Sequence, residues 1–155
     1  MSYEIELLEV AARPIAAVAA TVPRGQIPRA LIECLDKVYA LLRTRQIAGL
    51  GCNIAVYREG PAGAVAMLAG VETPEAIEGE GEVIGAATPT GRAAMATHWG
   101  PYDRLGEAYA ALGSWLAARG LVCHVRWEVY GDWSDDPAKL RTDVFHLIEP
   151  ESMHD

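Results

Sequence analysis

Residues 120–130 read Gly120-Leu-Val-Cys-His-Val-Arg-Trp-Glu-Val-Tyr130, and residues 49–57 read Gly49-Leu-Gly-Cys-Asn-Ile-Ala-Val-Tyr57. Both stretches begin at a glycine, carry a cysteine three positions later and end in Val-Tyr. The later stretch alternates in polarity, which is typical of a β-strand with one buried face. The chain therefore holds two related strands, and an internal repeat is predicted around them.

The segments on either side of these two strands also correspond. Each strand is preceded by an apolar strand and a helix, and it is followed by a turn and a second apolar strand. The first copy comprises a strand at 13–19, a helix with Pro28 near its start, a turn at 58–63 and a strand at 64–71. The second copy comprises a strand at 92–98, a helix beginning near 101–103, a turn at 131–137 and a strand at 142–148. Each half is predicted to be strand-helix-strand-strand.

Apolar residues recur at helical spacing in both predicted helices, which favours packing of one helix face on a sheet. The first helix carries Ile27, Leu31, Leu35, Val38 and Leu42, and the second carries Leu105, Tyr109, Leu112, Trp115 and Leu116. Pro28 suits a helix start, and Gly120 suits a helix end. We expect both stripes to be core residues.

These patterns predict an α+β fold, in which two strand-helix-strand-strand modules form a tandem pseudo-twofold repeat with a central ligand groove. A single domain is expected over residues 1–155, with halves at about 3–71 and 82–150 joined by an acidic connector at 72–81. Val83 and Ile84 are expected to add a short strand. The helices are expected to cover one sheet face, and the groove is expected on the other.

Composition and charge exclude several functions. The chain is 51% hydrophobic and 22% charged, as in ordinary globular proteins. Its net charge of −8 argues against direct nucleic-acid binding, which needs a basic surface. No apolar run reaches the roughly 18 residues of a membrane span, and Arg13 and Pro14 interrupt the one Ala-rich segment that could resemble a signal peptide. We expect a cytoplasmic protein without membrane contact.

No metal or cofactor is expected. The three cysteines show neither a CxxC motif nor zinc-ligand spacing, so they are interpreted as reduced thiols. The chain also lacks a phosphate-binding glycine loop in a strand-turn-helix context.

Glu128 is the main candidate for a functional residue. Alternation puts Val125, Trp127 and Val129 on one strand face, expected to be core, and puts Glu128 and Tyr130 on the other. A carboxylate among apolar residues must be paired with a cation, protonated, or kept for a function, because an unpaired buried charge is costly. Two interpretations stay open: a ligand-binding or proton-transferring group, or a structural salt bridge, for instance with Arg126.

The repeat places further residues around Glu128. Superposing the halves sets Tyr57 on Tyr130 and the small Ala55 on Glu128, which predicts an anchor on one side of the groove and room on the other. Tyr57 and Tyr130 are interpreted as aromatic ligand walls or as packing residues. Trp99 is expected at the groove mouth, and Trp133 is expected to form a lid or to cap the sheet.

Three motifs resemble the GyrI-like effector-binding domain family: Pro89-Thr-Gly-Arg92, His98-Trp-Gly-Pro-Tyr-Asp103 and Trp127-Glu-Val-Tyr130. That family includes effector domains of multidrug-responsive transcription regulators of the BmrR and AraC types, stand-alone gyrase inhibitors, and hydrolases that open the cyclopropane rings of DNA-alkylating natural products. The resemblance implies the tandem fold and assigns the groove carboxylate to Glu128. Because no DNA-binding region precedes Tyr3, a stand-alone member is expected.

Three functions are compatible with this resemblance. The favoured one is a binding module for bulky apolar molecules, cationic aromatic ones among them, which sequesters them or reports them to a separate regulator protein. The alternative is a cyclopropanoid hydrolase in which Glu128 transfers a proton and Tyr130 assists. The third is an inhibitor that binds another protein. Binding is favoured because Glu128 is the single ionisable group placed in the groove with assurance. The oligomeric state stays open.

Overall fold

The computed structural model describes residues 3–149. In chain order its elements are β1 (Glu6–Val10), β2 (Pro14–Val22), α1 (Ile27–Thr44), β3 (Asn53–Glu59), β4 (Val65–Glu72), β5 (Val83–Ala87), β6 (Gly91–Trp99), α2 (Leu105–Ala118), β7 (Cys123–Tyr130) and β8 (Arg141–Ile148). The predicted strands and helices are present within a few residues of their expected bounds. None of the helices in the described part is long and apolar enough to span a bilayer.

All eight strands form one antiparallel sheet in the order β1-β6-β8-β7-β3-β4-β2-β5. The two Val-Tyr strands, β3 and β7, lie at its centre and pair with each other, with Ala55 opposite Glu128. Outward from this pair, β7 is followed by β8, β6 and β1, and β3 is followed by the equivalent strands β4, β2 and β5. The predicted α+β fold with a pseudo-twofold repeat is therefore confirmed, and the axis passes close to Ala55 and Glu128.

The two edge strands connect the halves. β1 precedes the first module in sequence but pairs with β6 of the second module. β5 precedes the second module but pairs with β2 of the first. The linkers that follow them also meet, because the Arg13 amide donates to the Thr88 hydroxyl at 2.8 Å. β1 was not predicted, and the short strand at Val83 and Ile84 extends to Ala87.

The helices occupy the flanks of one sheet face. α1 packs chiefly on β2 and β4, and α2 packs chiefly on β6 and β8. Val38 and Leu42 of α1 are buried in one cluster, and Leu112 and Leu116 of α2 are buried in another. The central strands β3 and β7 thus form an open floor between the two helices.

The face without helices carries a third core cluster, which includes Ile15, Ile54 and Trp127. Val10 of β1 and Ala86 of β5 both pack against it, although these strands lie at opposite edges. Strands are spaced about 4.8 Å apart, so a flat sheet of this size would hold its edges roughly 30 Å apart. The sheet must therefore curl around this cluster. Trp127 is buried there and stacks on Phe145, as expected for a core residue.

Candidate functional site

The groove lies between the two helices, on the helix-bearing face of the sheet. The sequence predicted it on the opposite face, and this prediction is wrong. Helices α1 and α2 cover the flanking strands only, so the floor made by β3 and β7 stays open between them. Glu128 faces this side, because its carboxylate is bonded by Tyr109 of α2.

Two tyrosine hydroxyls hold the Glu128 carboxylate. Tyr109 donates to Oε2 at 2.5 Å, and Tyr130 donates to Oε1. The side chain is buried, with 7% of the residue exposed. The ion pairs within residues 3–149 do not include Glu128, so the expected alternative of a salt bridge to Arg126 is not found there. The carboxylate is thus satisfied by hydrogen bonds without being neutralised by a cation.

The pKa values of this cluster follow from burial. Burial raises the pKa of Glu128 above its usual range, and the bonds from Tyr109 and Tyr130 oppose that rise. Burial followed by the proximity of Glu128 raises the pKa of both tyrosines, and the same two causes raise the pKa of Tyr57. The three phenols therefore remain protonated near a single carboxylate whose ionised form is under-solvated.

An apolar cavity of about 580 Å³ opens in front of this carboxylate. Its size is within the usual range for small-molecule sites. The lining residues are Ile27, Pro28, Leu31, Ile32 and Leu35 of α1, Asn53 and Tyr57 of β3, Tyr102 and Leu105 at the start of α2, and Glu128, Tyr130, Gly131 and Trp133. Glu128 is the only ionisable acid or base, apart from the tyrosines, in this lining. We call this space the Glu128 cavity.

The structure brings four of the six predicted site residues to the Glu128 cavity. Glu128, Tyr130, Tyr57 and Trp133 all line it. Trp133 is 75% exposed, in the loop that follows β7, and it borders the mouth. Ala55 lies opposite Glu128 in register but has no exposed surface. It supports the floor and leaves no open room of its own.

Trp99 is not part of this site. Strand alternation puts it with Met95 and Thr97 on the helix-free face, where it lines a separate surface depression near Arg141. His98, the next residue back, faces α2 and is buried; its Nδ1 accepts from the Tyr3 hydroxyl, and its Nε2–H donates to the Pro101 carbonyl oxygen. The expected position of Trp99 at the groove mouth is therefore not found.

The profile of the GyrI-like small-molecule-binding domain matches residues 3–148, which is nearly the whole chain. The chain belongs to the GyrI-like family. Its residues Glu128, Tyr130 and Tyr57 thus lie in a domain whose family binds small molecules. A search of curated protein sequences gives no significant match.

Solved structures show the same fold for this GyrI-like domain. The EcmrR C-terminal domain has 19% identity and a TM-score of 0.75, covering 96% of this chain and 99% of that one. A hydrolase from Listeria innocua has 12% identity and a TM-score of 0.64, covering 96% and 93%. The protein SAV2435 bound to tetraphenylphosphonium has 10% identity and a TM-score of 0.62, covering 94% of each chain. At these identities the likeness shows the fold alone.

Tyr109 and Tyr102 take part in this GyrI-like site, although neither was among the predicted site residues. Tyr109 belongs to the α2 stripe, but its hydroxyl reaches Glu128. Tyr102 is 42% exposed and lines the cavity, with its ring edge-on to Tyr130 at 5.8 Å between centroids. One signal was available for Tyr109, because it is the residue with a hydroxyl tip on an otherwise apolar stripe.

Proposed function

We propose that this GyrI-like domain binds bulky apolar cations in the Glu128 cavity, with the Glu128 carboxylate as their counter-charge. One observation carries the proposal. A buried carboxylate held by two tyrosine hydroxyls borders an apolar cavity, and no cationic side chain within the described residues pairs with it.

The physical reason is the cost of an under-solvated charge. Burying a carboxylate without a counter-ion is unfavourable, and a ligand cation placed beside it recovers part of that cost. Aromatic rings next to the same point add to the attraction, by about 0.5 to 2 kcal/mol for each well-placed cation–π contact. Tyr57, Tyr102 and Tyr130 supply such rings in the cavity lining.

The rest of the lining favours tolerance of different ligand shapes. Ile27, Leu31 and Leu35 offer hydrocarbon surface without directional hydrogen bonds. Affinity from such surface scales with the area buried and depends little on exact orientation. This supports multidrug-type binding, either to sequester ligands or to report them to a separate regulator protein. The complex of SAV2435 with tetraphenylphosphonium, on the same fold, supports the choice of a lipophilic cation as probe.

The test is calorimetric titration of the whole chain with tetraphenylphosphonium and with triphenylphosphine oxide, a neutral compound of related shape. We expect the cation to bind and the neutral compound to bind more weakly. Equal affinity for the two, or no binding of the cation, would contradict the proposal.

Cation binding should weaken as the pH is lowered. Binding needs the ionised form of Glu128, and burial raises the pKa of this group. Affinity is therefore full above that pKa and is lost as the pH falls through it, starting at a higher pH than for an exposed glutamate. Titration across the acidic range with tetraphenylphosphonium measures this effect. Triphenylphosphine oxide, which carries no charge, serves as the control and should show little dependence.

Hydrolysis is the second candidate, and one observation favours it. Burial raises the pKa of Glu128, and the carboxylate accepts hydrogen bonds from two phenols, as suits a group that exchanges a proton with a substrate. Incubation with a cyclopropane-containing alkylator, followed by mass spectrometry, separates the two functions. The binding proposal expects the compound to be returned intact, with ring opening no faster than in buffer. Ring opening faster than in buffer, together with its loss in Glu128→Gln, would mean that the protein is a hydrolase and would contradict the binding proposal.

A further inference from the structure

A second cavity, of about 460 Å³, lies beside α2. Its walls are apolar and come from α2 and the loop after it, and its floor comes from β7 and β8. The lining residues are Tyr109, Gly113, Leu116, Ala117, Leu121, Val122, Cys123, Arg126 and His146. Tyr109 stands between the two cavities, because its hydroxyl bonds Glu128 while its ring lines this second space. We call this space the Arg126 cavity.

Arg126 is the charged residue of this lining. The ion pairs within residues 3–149 do not include it. Its side chain is half-buried on β7, two positions from Glu128. A half-buried guanidinium has five N–H donors in a planar fork, and carboxylates match this geometry with two parallel bonds.

The field of Arg126 acts inside this cavity. Burial, followed by the charge of Arg126, lowers the pKa of His146 to about 4. Burial raises the pKa of Cys123, and Arg126 opposes that rise. Burial raises the pKa of Glu128, and the bonds from Tyr109 and Tyr130 oppose that rise. The Arg126 guanidinium lines the second cavity, and the ion pairs within residues 3–149 do not join it to Glu128.

His146 adds polarity without charge. The residue is 3% exposed, and its Nδ1 has no hydrogen-bond partner among the described residues. Its ring packs against Tyr109 at 5.4 Å between centroids. Because its pKa is about 4, the ring is neutral near pH 7. Arg126 is thus left as the one positively charged residue of this lining.

We propose that the Arg126 cavity is a second ligand site, which binds a small organic carboxylate with an aromatic or aliphatic body. Arg126 bonds the carboxylate, and the body packs on Leu116, Leu121 and the Tyr109 ring. The two cavities then have opposite charge preferences, one for cations at Glu128 and one for anions at Arg126. The proposal does not depend on cation binding at Glu128.

Calorimetric titration of the whole chain with naphthoate and with neutral naphthamide tests this site. We expect naphthoate to bind more tightly. Arg126→Met should weaken naphthoate binding by about tenfold, as for the loss of a charged hydrogen bond, and should leave naphthamide unchanged. The matched control is Arg58→Met, because Arg58 is an exposed arginine on β3 that does not line the cavity. An unchanged naphthoate affinity in Arg126→Met would overturn the proposal.

A steric variant locates the ligand independently of charge. A Cβ at Gly113 meets no atom within 4 Å, so Gly113→Leu should fold and extend over the cavity. We expect it to abolish binding of both naphthoate and naphthamide. Gly106→Leu is the matched control, since Gly106 is equally open on α2 but lies outside this lining. Naphthoate binding that survives Gly113→Leu would place the ligand elsewhere and overturn the site.

Thiol protection gives a readout that does not rely on affinity. Cys123 lines the Arg126 cavity, whereas Cys52 lines a cavity that also contains Arg13 and Trp127. Naphthoate should slow alkylation of Cys123 by iodoacetamide and leave the rate at Cys52 unchanged. Equal rates at Cys123 with and without saturating naphthoate would contradict the proposal.

Discussion

Replacing Glu128 with glutamine is expected to weaken tetraphenylphosphonium binding by roughly 1 to 3 kcal/mol, the usual range for a charged hydrogen-bonding group. The amide keeps the shape of the side chain, and its oxygen can still accept from a tyrosine hydroxyl. What is lost is the negative charge beside the apolar cavity. Calorimetric titration of the variant and the parent protein at neutral pH measures the difference.

Two controls make this result specific. Triphenylphosphine oxide should bind the parent and Glu128→Gln alike, because it carries no charge. Glu59→Gln removes a carboxylate from an exposed position of β3 and should leave cation affinity unchanged. Equal losses for the cation and the neutral compound would mean that Glu128 supports the cavity wall and does not act as counter-charge.

The same variant should be more stable than the parent protein without ligand. The folded-state pKa of Glu128 is raised, so the folded protein holds its proton more tightly than the unfolded chain. Stability from this group is therefore full at low pH and is lost as the pH rises through the folded pKa. Glutamine carries no such penalty at neutral pH. A higher melting temperature together with weaker cation binding would show that the loss of binding in Glu128→Gln is not caused by a loss of folding.

Replacing Gly70 with alanine is expected to destabilise the protein by more than about 3 kcal/mol, in the range of severe core substitutions. A Cβ at Gly70 would lie 1.8 Å from the Ala16 carbonyl oxygen and 2.7 Å from the Ala17 Cα. Both atoms belong to the backbone of β2, which cannot move without breaking its pairing with β4. Chemical denaturation measures the loss.

The matched control for this prediction is Gly113→Ala. A Cβ there meets nothing within 4 Å, and the position is in the middle of α2. This change should stabilise the protein by roughly 0.5 to 1 kcal/mol, because alanine favours the helix over glycine. If Gly70→Ala proved as benign as Gly113→Ala, the close approach of β4 to β2 would not exist in solution. β4 also pairs with β3, so the disruption of β4 expected in Gly70→Ala would displace Tyr57 from the Glu128 cavity.

The elements of the repeat were predictable because their signals are local. Helical spacing marks α1 and α2, and the two Val-Tyr strands identify β3 and β7. β1 was missed because its sequence, Glu-Leu-Leu-Glu-Val, does not alternate, and because it is held at an edge by pairing with β6, far along the chain. Long-range pairing of this kind leaves no periodic pattern.

The side of the sheet that carries the groove was not predictable from these signals. Alternation shows that Glu128 and Tyr130 share a face and that Trp127 lies on the other. It does not show which face a helix covers, since both faces carry apolar residues. Trp99 was misplaced for a related reason: the strand was predicted to end at residue 98, whereas β6 includes Trp99 and alternation turns this side chain away from the groove.

The sequence alone indicated the α+β repeat and the equivalence of Ala55 with Glu128, and it proposed Glu128, Tyr130 and Tyr57 as candidate site residues. These follow from local periodicity and from the likeness of the two halves. Only the tertiary structure decided that the groove opens between the helices, and that Tyr109 reaches Glu128 while Arg126 lines a separate cavity. The reason is that the flanks of the sheet are covered and its centre is not, and this depends on how both helices pack at once.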